Sequence, residues 1–134
     1  MPQHFRHPLH ILPSDIDELG HVNNVVYLRW VQDVSAAHWA VLSTEELRKV
    51  FAWVVARHEI DYKASALPGD ELHAETWVGE TEGVRSVRYV NILNQTGKLL
   101  AAARTTWVLI DAGSGRPSKI VGTILAVLEK AMKA

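Results

Sequence analysis

The sequence predicts an α+β protein in which one long helix is wrapped by a curved antiparallel sheet of about five strands. Two patterns predict this fold. Apolar residues recur at helical spacing between Val26 and Val41, whereas from Val50 onward apolar and polar residues alternate, as they do in strands. Because the helix is apolar on most sides, it has to be covered on most sides. One curved sheet is the simplest cover in a chain of 134 residues.

Length and composition indicate a single globular domain spanning residues 1–134. Apolar residues make up 48% and charged residues 22% of the sequence, so the chain has enough apolar surface to form a core. The net charge of -1 provides no basic field that would attract nucleic acid or anionic lipid. The absence of cysteine excludes disulfides, zinc thiolate sites and cysteine nucleophiles.

The sequence contains no stretch typical of a signal peptide or a membrane span. Its first residues lack the apolar run of a secretory signal, and no apolar run approaches the roughly 18 residues that a spanning helix needs. We therefore expect a cytoplasmic protein without a membrane partner.

The order of the elements follows from the turn chemistry between them. Pro8 favours an edge position for a short first strand within residues 5–12, and the long helix should end near Leu42 or Ser43, before the polar connection TEELRK. Turns rich in glycine, proline and asparagine then separate four further strands, which are predicted to form a meander. These strands are expected within residues 50–63, 71–81, 84–94 and 98–111, and the last is apolar enough to be central.

A second helix is predicted near the end of the chain, where Ser118 could cap it. Its apolar stripe would consist of Ile120, Ile124, Val127, Leu128 and Ala131.

Three histidines near the N-terminus, His4, His7 and His10, recur at every third residue. This spacing matches neither one face of a strand nor a helical pair of metal ligands. We therefore expect a solvated terminus or strand edge there, with no metal and no cofactor.

An irregular segment between Pro13 and Asn24 brings two carboxylates close to the start of the long helix. Asp15 and Asp17 stand two residues apart among residue types that serve turns and helix caps. The first free backbone N–H groups of the helix, at residues 24–26, would point into the region of Asp17. A helix N-terminus carries about half a positive charge, which suits a carbonyl oxygen that develops negative charge.

The segment DIDELGHVNNVVYLRW, residues 15–30, resembles the hotdog-fold thioesterases of the 4-hydroxybenzoyl-CoA thioesterase type. The tetrapeptide HVNN, followed by Tyr27 and Trp30, is also similar to the acyl-ACP thioesterases. EIDYKASALPGDEL at residues 59–72 resembles a strand and turn of the first family. The resemblance implies a hotdog fold and the hydrolysis of an acyl- or aryl-CoA thioester to the free acid and CoA.

The resemblance also implies which residues carry the chemistry. The catalytic aspartate of the family falls on Asp17, as nucleophile or general base, and the residue whose N–H polarises the thioester carbonyl falls near Asn24. His21 matches the acyl-ACP group and is a candidate for orienting water or the substrate. Gly20 and Val25, which adjoin these residues, are expected to contact the substrate. Asp15 is expected to hold the loop by hydrogen bonds.

Three basic residues, Lys63, Arg85 and Arg88, are candidates for binding the phosphates of CoA. All three lie on or beside predicted strands, and long basic side chains at a sheet margin suit phosphate binding. Solvated strand faces explain the same residues equally well.

Other functions of the same fold compete with acyl-CoA hydrolysis. HVNN favours an acyl-ACP thioesterase, but Leu19 stands where that group has an asparagine. A hotdog dehydratase is a weaker alternative, because His21 precedes the helix. A non-catalytic protein that binds acyl thioesters is a further alternative, against which the intact Asp17 argues. Hotdog domains resemble one another in pairing their sheets edge to edge, so we expect a homodimer or homotetramer.

Overall fold

The computed structural model describes residues 5–132 of the chain, which form five strands and three α-helices. His4 lies outside the described residues. The strands are β1 (Phe5–Leu9), β2 (Phe51–Tyr62), β3 (Leu72–Glu82), β4 (Arg85–Leu93) and β5 (Leu99–Asp111). The helices are α1 (Asn24–Leu42), α2 (Glu45–Val50) and α3 (Gly122–Met132). The predicted α+β class is confirmed.

The five strands form one curved antiparallel sheet in the order β1-β3-β4-β5-β2. The predicted edge position of β1, which contains Pro8, and the interior position of β5 are both confirmed. The predicted meander is wrong for β2, which pairs with β5 instead of β3. Alternation of apolar residues specifies which face of a strand is buried, but it does not specify the neighbouring strand. β2 is therefore the second edge of the sheet.

Helix α1 packs across one face of the sheet, against β1, β3 and β4. Its fully buried side chains include Tyr27, Val31 and Val34. Asn23 caps its N-terminus, and the helix ends at Leu42, as the sequence predicted. No helix of residues 5–132 is long and apolar enough to cross a membrane.

Helix α3 closes a second part of the core at the far end of α1. Ile124 and Leu128 pack here with Val78 of β3 and Leu109 of β5. The prediction that Ser118 caps this helix is wrong, since the helix begins at Gly122. The Ser118 N–H instead donates to the Leu109 carbonyl at 2.8 Å, so the segment before the helix is held against β5.

Candidate active site

The chain enters α1 through a small hairpin of residues 16–22, the Asp17 turn. Ile16 and Val22 form an antiparallel bridge, and the Asp17 N–H donates to the His21 carbonyl at 2.8 Å. Gly20 occupies the corner with a φ of +78°, which residues with a side chain rarely adopt. Its N–H donates to the Asp17 carbonyl at 3.0 Å. The turn therefore places Asp17 and His21 opposite each other just before the helix.

The Asp17 carboxylate is half-buried and is oriented through one of its two oxygens. Oδ1 accepts hydrogen bonds from the backbone N–H groups of Leu19, at 2.9 Å, and His21, at 3.3 Å. Oδ2 has no hydrogen-bond partner within residues 5–132. The turn thus fixes the carboxylate while one oxygen stays available for a substrate or a water molecule.

The start of α1 offers one backbone donor beside this turn. Asn23 engages the next amides, because its Oδ1 accepts from Val25 N–H at 3.2 Å and its carbonyl accepts from Val26 N–H at 3.0 Å. The Asn24 N–H has no acceptor in the described part of the chain. The expectation that several amides at residues 24–26 are free is thus corrected to Asn24 alone. The Val25 side chain is exposed.

Asp15 links the segment before the turn to the helix by hydrogen bonds. Its buried carboxylate accepts from both terminal nitrogens of Arg29, at 3.1 and 3.0 Å, and from the Leu12 N–H at 2.9 Å. Its carbonyl accepts from the Asn23 N–H at 2.8 Å. The hydrogen bonds from Arg29 lower the pKa of Asp15 and outweigh the opposing effect of burial. The expected structural role of Asp15 is confirmed.

The end of β2 and the loop after it form the other side of the site. The Tyr62 hydroxyl donates to the Asn24 carbonyl at 3.1 Å, and Ser65 Oγ lies 3.4 Å from His21 Nδ1. The Tyr27 hydroxyl accepts from the Ala66 N–H at 2.9 Å, which ties the loop to α1. Sequence analysis missed Ser65, although the segment EIDYKASALPGDEL that contains it was recognised.

Lys63 and Arg85 are both exposed, but they lie at opposite ends of the sheet. Lys63 follows Tyr62 beside the Asp17 turn, and its N–H donates to Leu100 O at the start of β5. Arg85 is paired with Val108, eight residues further along β5. At the usual rise of a strand, these positions are about 26 Å apart. Of these two residues, Lys63 lies at the end of β2 that contacts the start of α1, since the neighbouring Tyr62 donates to the Asn24 carbonyl.

Arg88 lies neither at an open sheet margin, where it was a candidate for binding a CoA phosphate, nor on a solvated strand face, which was the alternative. Its side chain is buried, with 6% exposure, and Nη1 donates to Thr76 Oγ1 at 3.1 Å and lies 2.7 Å from His38 Nδ1. Burial lowers the pKa of Arg88 to about 10, so it stays charged at neutral pH. Strand alternation could have revealed this position, because Arg88 shares its face with the buried Val90 and Ile92.

A cavity of about 520 Å³ lies between the second half of α1 and the sheet, and we call it the Arg88 cavity. The lining residues of α1 begin at Gln32 and end at Trp39, about 12 to 22 Å from Asn24 along the helix axis. The wall contains the aromatic residues Trp39, Phe51, Trp53 and Trp107 and the charged residues Asp33, Arg48 and Arg88. In one chain, this cavity is therefore separate from the Asp17 turn.

Solved structures share this fold over nearly the whole chain. A thioesterase from Thermus thermophilus, complexed with coenzyme A and Zn, is 24% identical with a TM-score of 0.83, covering 94% of this chain and 92% of that one. A probable thioesterase from Escherichia coli is 21% identical with a TM-score of 0.84, covering 97% and 100%. A 1,4-dihydroxy-2-naphthoyl-CoA thioesterase from Synechocystis is 19% identical with a TM-score of 0.80, covering 94% and 96%. At these identities, the likeness establishes the fold.

The sequence itself establishes the family. The profile of the Thioesterase-like superfamily matches residues 11–128, so the chain belongs to that superfamily. The protein is accordingly a thioester hydrolase. Comparison with curated protein sequences gives no significant match.

Proposed function

We propose that this protein is an acyl-CoA thioesterase in which Asp17 carries the reaction. The observation that supports this proposal is that two groups without hydrogen-bond partners among the described residues lie in the Asp17 turn and at the start of α1, which follows it. Asp17 keeps Oδ2 free while its other oxygen is held, and Asn24 keeps a free N–H at the positive end of α1. A fixed carboxylate and a preorganised donor are the two groups that hydrolysis of a thioester carbonyl requires.

In the proposed reaction, the thioester carbonyl oxygen accepts a hydrogen bond from the Asn24 N–H, which stabilises the negative charge that develops there. Asp17 acts in one of two ways. Its Oδ2 attacks the carbonyl carbon to form an anhydride that water then hydrolyses, or it takes a proton from a water molecule that attacks directly. The carbonyl–sulfur bond breaks, the CoA thiolate leaves and takes up a proton from Asp17 or from water, and the acyl group leaves as the free acid.

Three neighbours of these groups have supporting roles in the proposal. His21, whose Nδ1 lies 3.4 Å from Ser65 Oγ, orients water or the substrate. Gly20 and Val25 contact the substrate beside the carboxylate and the helix start. Gly20 lacks a side chain, and a Cβ at its position would meet no atom within 4 Å, so this corner is open to a ligand.

CoA is the proposed carrier of the acyl group. The Thermus thermophilus thioesterase with this fold was solved with coenzyme A bound, which supports that carrier. In this proposal Lys63, which is exposed, contacts a phosphate of CoA. Arg85 lies too far along the sheet to share that contact in the same chain, so it would reach only the CoA held by another copy.

A homodimer paired through β2 is the proposed assembly. This edge strand has twelve residues, and it leaves Val54 and Tyr62 more than 40% exposed. Two copies of β2 can pair antiparallel about a two-fold axis. The Tyr62 end, beside Asn24, would then lie against the Phe51 end of the partner, which lines the Arg88 cavity. The acyl group would enter the cavity of the partner subunit. Light scattering that gives a mass of 15.0 kDa would contradict the dimer.

The decisive test of the function compares Asp17→Asn with Glu18→Gln. We expect Asp17→Asn to lower kcat for acyl-CoA hydrolysis by about 10² to 10⁴, because proton transfer or nucleophilic attack is lost while Asn can keep the Oδ1 hydrogen bonds. Glu18 is an exposed carboxylate of the same turn, and its replacement should change kcat less than about twofold. Release of CoA is followed with a thiol-reactive dye, to which this cysteine-free protein contributes no background. Equal rates for both variants would refute the role of Asp17.

Oxygen-18 labelling tests the nucleophilic role of Asp17. In a single turnover in labelled water, attack of water on the Asp17 carbonyl carbon of an anhydride leaves label in the Asp17 carboxylate and passes an enzyme oxygen to the acid, so this result would establish the anhydride. Label that is found only in the acid would exclude this route and leave attack of water on the acyl carbon, either of the thioester itself or of an anhydride.

A further inference from the structure

Arg88 presents an unused hydrogen-bonding edge to the cavity that it lines. Both of its hydrogen bonds, to His38 and Thr76, involve Nη1. Nε and Nη2 have no hydrogen-bond partner within residues 5–132. Neither nitrogen is fully enclosed by these residues. These two nitrogens form the side of a guanidinium that binds both oxygens of one carboxylate. The unused edge therefore matches a carboxylate in shape and in charge.

The charge of Arg88 is also without a counterion. No carboxylate of the described residues lies within 4.0 Å of its guanidinium. The nearby His38 does not supply a negative charge. Burial first, and then the charge of Arg88, lowers the pKa of His38 to about 4, so His38 is neutral at pH 7. A buried cation that is held only by neutral partners is costly unless an anion joins it.

The remainder of the cavity suits an apolar or aromatic body attached to that anion. The aromatic side chains that line the wall are those of Trp39, Phe51, Trp53 and Trp107. Trp107 Nε1 is the only fully enclosed side-chain donor in residues 5–132 that has no acceptor. Ser86 and Arg88 of β4 pair with Trp107 and Thr105 of β5, so Arg88 and Trp107 are diagonal neighbours on the face that α1 covers.

Two other charged residues line the cavity. Asp33 on α1 is exposed, and Arg48 is held at the end of α1, where its Nη1 donates to the Ser43 carbonyl at 2.9 Å. Both lie in water, which weakens their effect on a ligand. The buried Arg88 is therefore the dominant charge at the inner wall.

We propose that the Arg88 cavity binds an organic carboxylate with an apolar or aromatic body, and that the Nε and Nη2 nitrogens of Arg88 hold both carboxylate oxygens. Such a carboxylate has two sources. It is either a second acid group on the acyl chain of the thioester or the free acid that hydrolysis releases. The assignment of these two sources rests on the proposed thioesterase function, whereas the binding of a carboxylate does not.

The first experiment measures binding without turnover. Calorimetry compares phenylbutanoate with phenylbutanamide, which has the same shape but no charge. We expect the native protein to bind the acid at least about tenfold more tightly, because only the acid engages the charge of Arg88. Equal affinity for acid and amide in the native protein would overturn the proposal, whatever the variants do.

Variants then locate the charge that recognises the acid. Arg88→Gln should remove the preference for phenylbutanoate over phenylbutanamide. Arg104→Gln is the matched control, since Arg104 is an arginine of the same sheet that pairs with Glu59 on the exposed face. It should keep the preference. A preference that survives in Arg88→Gln, or that is lost equally in Arg104→Gln, would assign the binding to another place.

The second experiment distinguishes the two sources with acyl-CoA substrates of equal chain length, one of which ends in a carboxylate. If the acyl chain carries the acid, the native protein has the higher kcat/KM for the carboxylated substrate and Arg88→Gln loses this advantage. If the acid is the product, phenylbutanoate inhibits hydrolysis of the uncharged substrate and Arg88→Gln relieves the inhibition. If the native protein shows neither effect, the assignment of the carboxylate to the reaction is overturned, even if calorimetry shows binding. Failure of the thioesterase proposal would appear as no hydrolysis of either substrate.

Discussion

The Asp17 turn and the Arg88 cavity bring charged groups to the same helix in opposite ways. The Asp17 turn is local, since the groups that hold its carboxylate come from Leu19 and His21, within four residues. The Arg88 cavity is assembled from distant segments, because Arg88 contacts His38 on α1 and Thr76 on β3. A local turn can orient a half-exposed charge at little cost, whereas only a complete tertiary structure can enclose a charge.

This difference predicts that the two regions respond to pH and to substitution differently. The cavity should show the larger effects on stability, because its charged and titratable groups are desolvated. The turn should show its larger effects on catalysis.

The largest expected effect on stability is the titration of His38. Its pKa falls from 6.5 to about 4 in the folded protein, so between these pH values the unfolded chain binds a proton that the folded chain does not. The free energy of unfolding should therefore decrease by about 3 kcal/mol as the pH falls through this window. Urea unfolding of the native protein and His38→Gln, measured at several pH values, isolates this contribution. Parallel pH profiles for the two proteins would show that His38 does not titrate in this way.

A smaller effect is expected for Asp15→Asn. The replacement removes the buried carboxylate of an ion pair. It leaves Arg29, whose side chain is 45% exposed, without its counterion. Because Arg29 is partly solvated, we expect a loss of about 2 kcal/mol in the free energy of unfolding at pH 7. Asp17→Asn, two residues away and less buried, should lose less than about 0.5 kcal/mol. Equal destabilisation by the two variants would remove the distinction between a structural and a catalytic aspartate.

An effect smaller than that of Asp15→Asn, and of the opposite sign, is expected for Arg88→Met. This substitution removes a buried cation without a carboxylate partner and fills the space with an apolar chain. We expect the free energy of unfolding to rise by about 1 kcal/mol, because the relief of desolvation exceeds the loss of two hydrogen bonds. The urea midpoint of the ligand-free protein measures this change. A loss of more than about 2 kcal/mol would indicate that Arg88 is retained for stability.

Much of the local structure could be predicted from residue patterns. The bounds of α1, the edge position of Pro8 and the sites of the turns follow from spacing and from residue types that act over a few positions. That Ser118 does not cap the helix could not be predicted, because its segment is held against Leu109 of β5 and the helix begins only at Gly122. The capping rule describes local competition for hydrogen bonds, and a strand elsewhere in the chain decided the outcome.

By itself, the sequence determined the elements of this protein and the loop that carries its candidate catalytic carboxylate. Both depend on interactions between residues that are close along the chain. Only the tertiary structure decided that β2 pairs with β5, that the Asn24 N–H stays free while its neighbours are capped, and that Arg88 is enclosed between α1 and the sheet. The physical reason is that burial and strand pairing are properties of groups brought together from distant positions, so their energies depend on the whole fold.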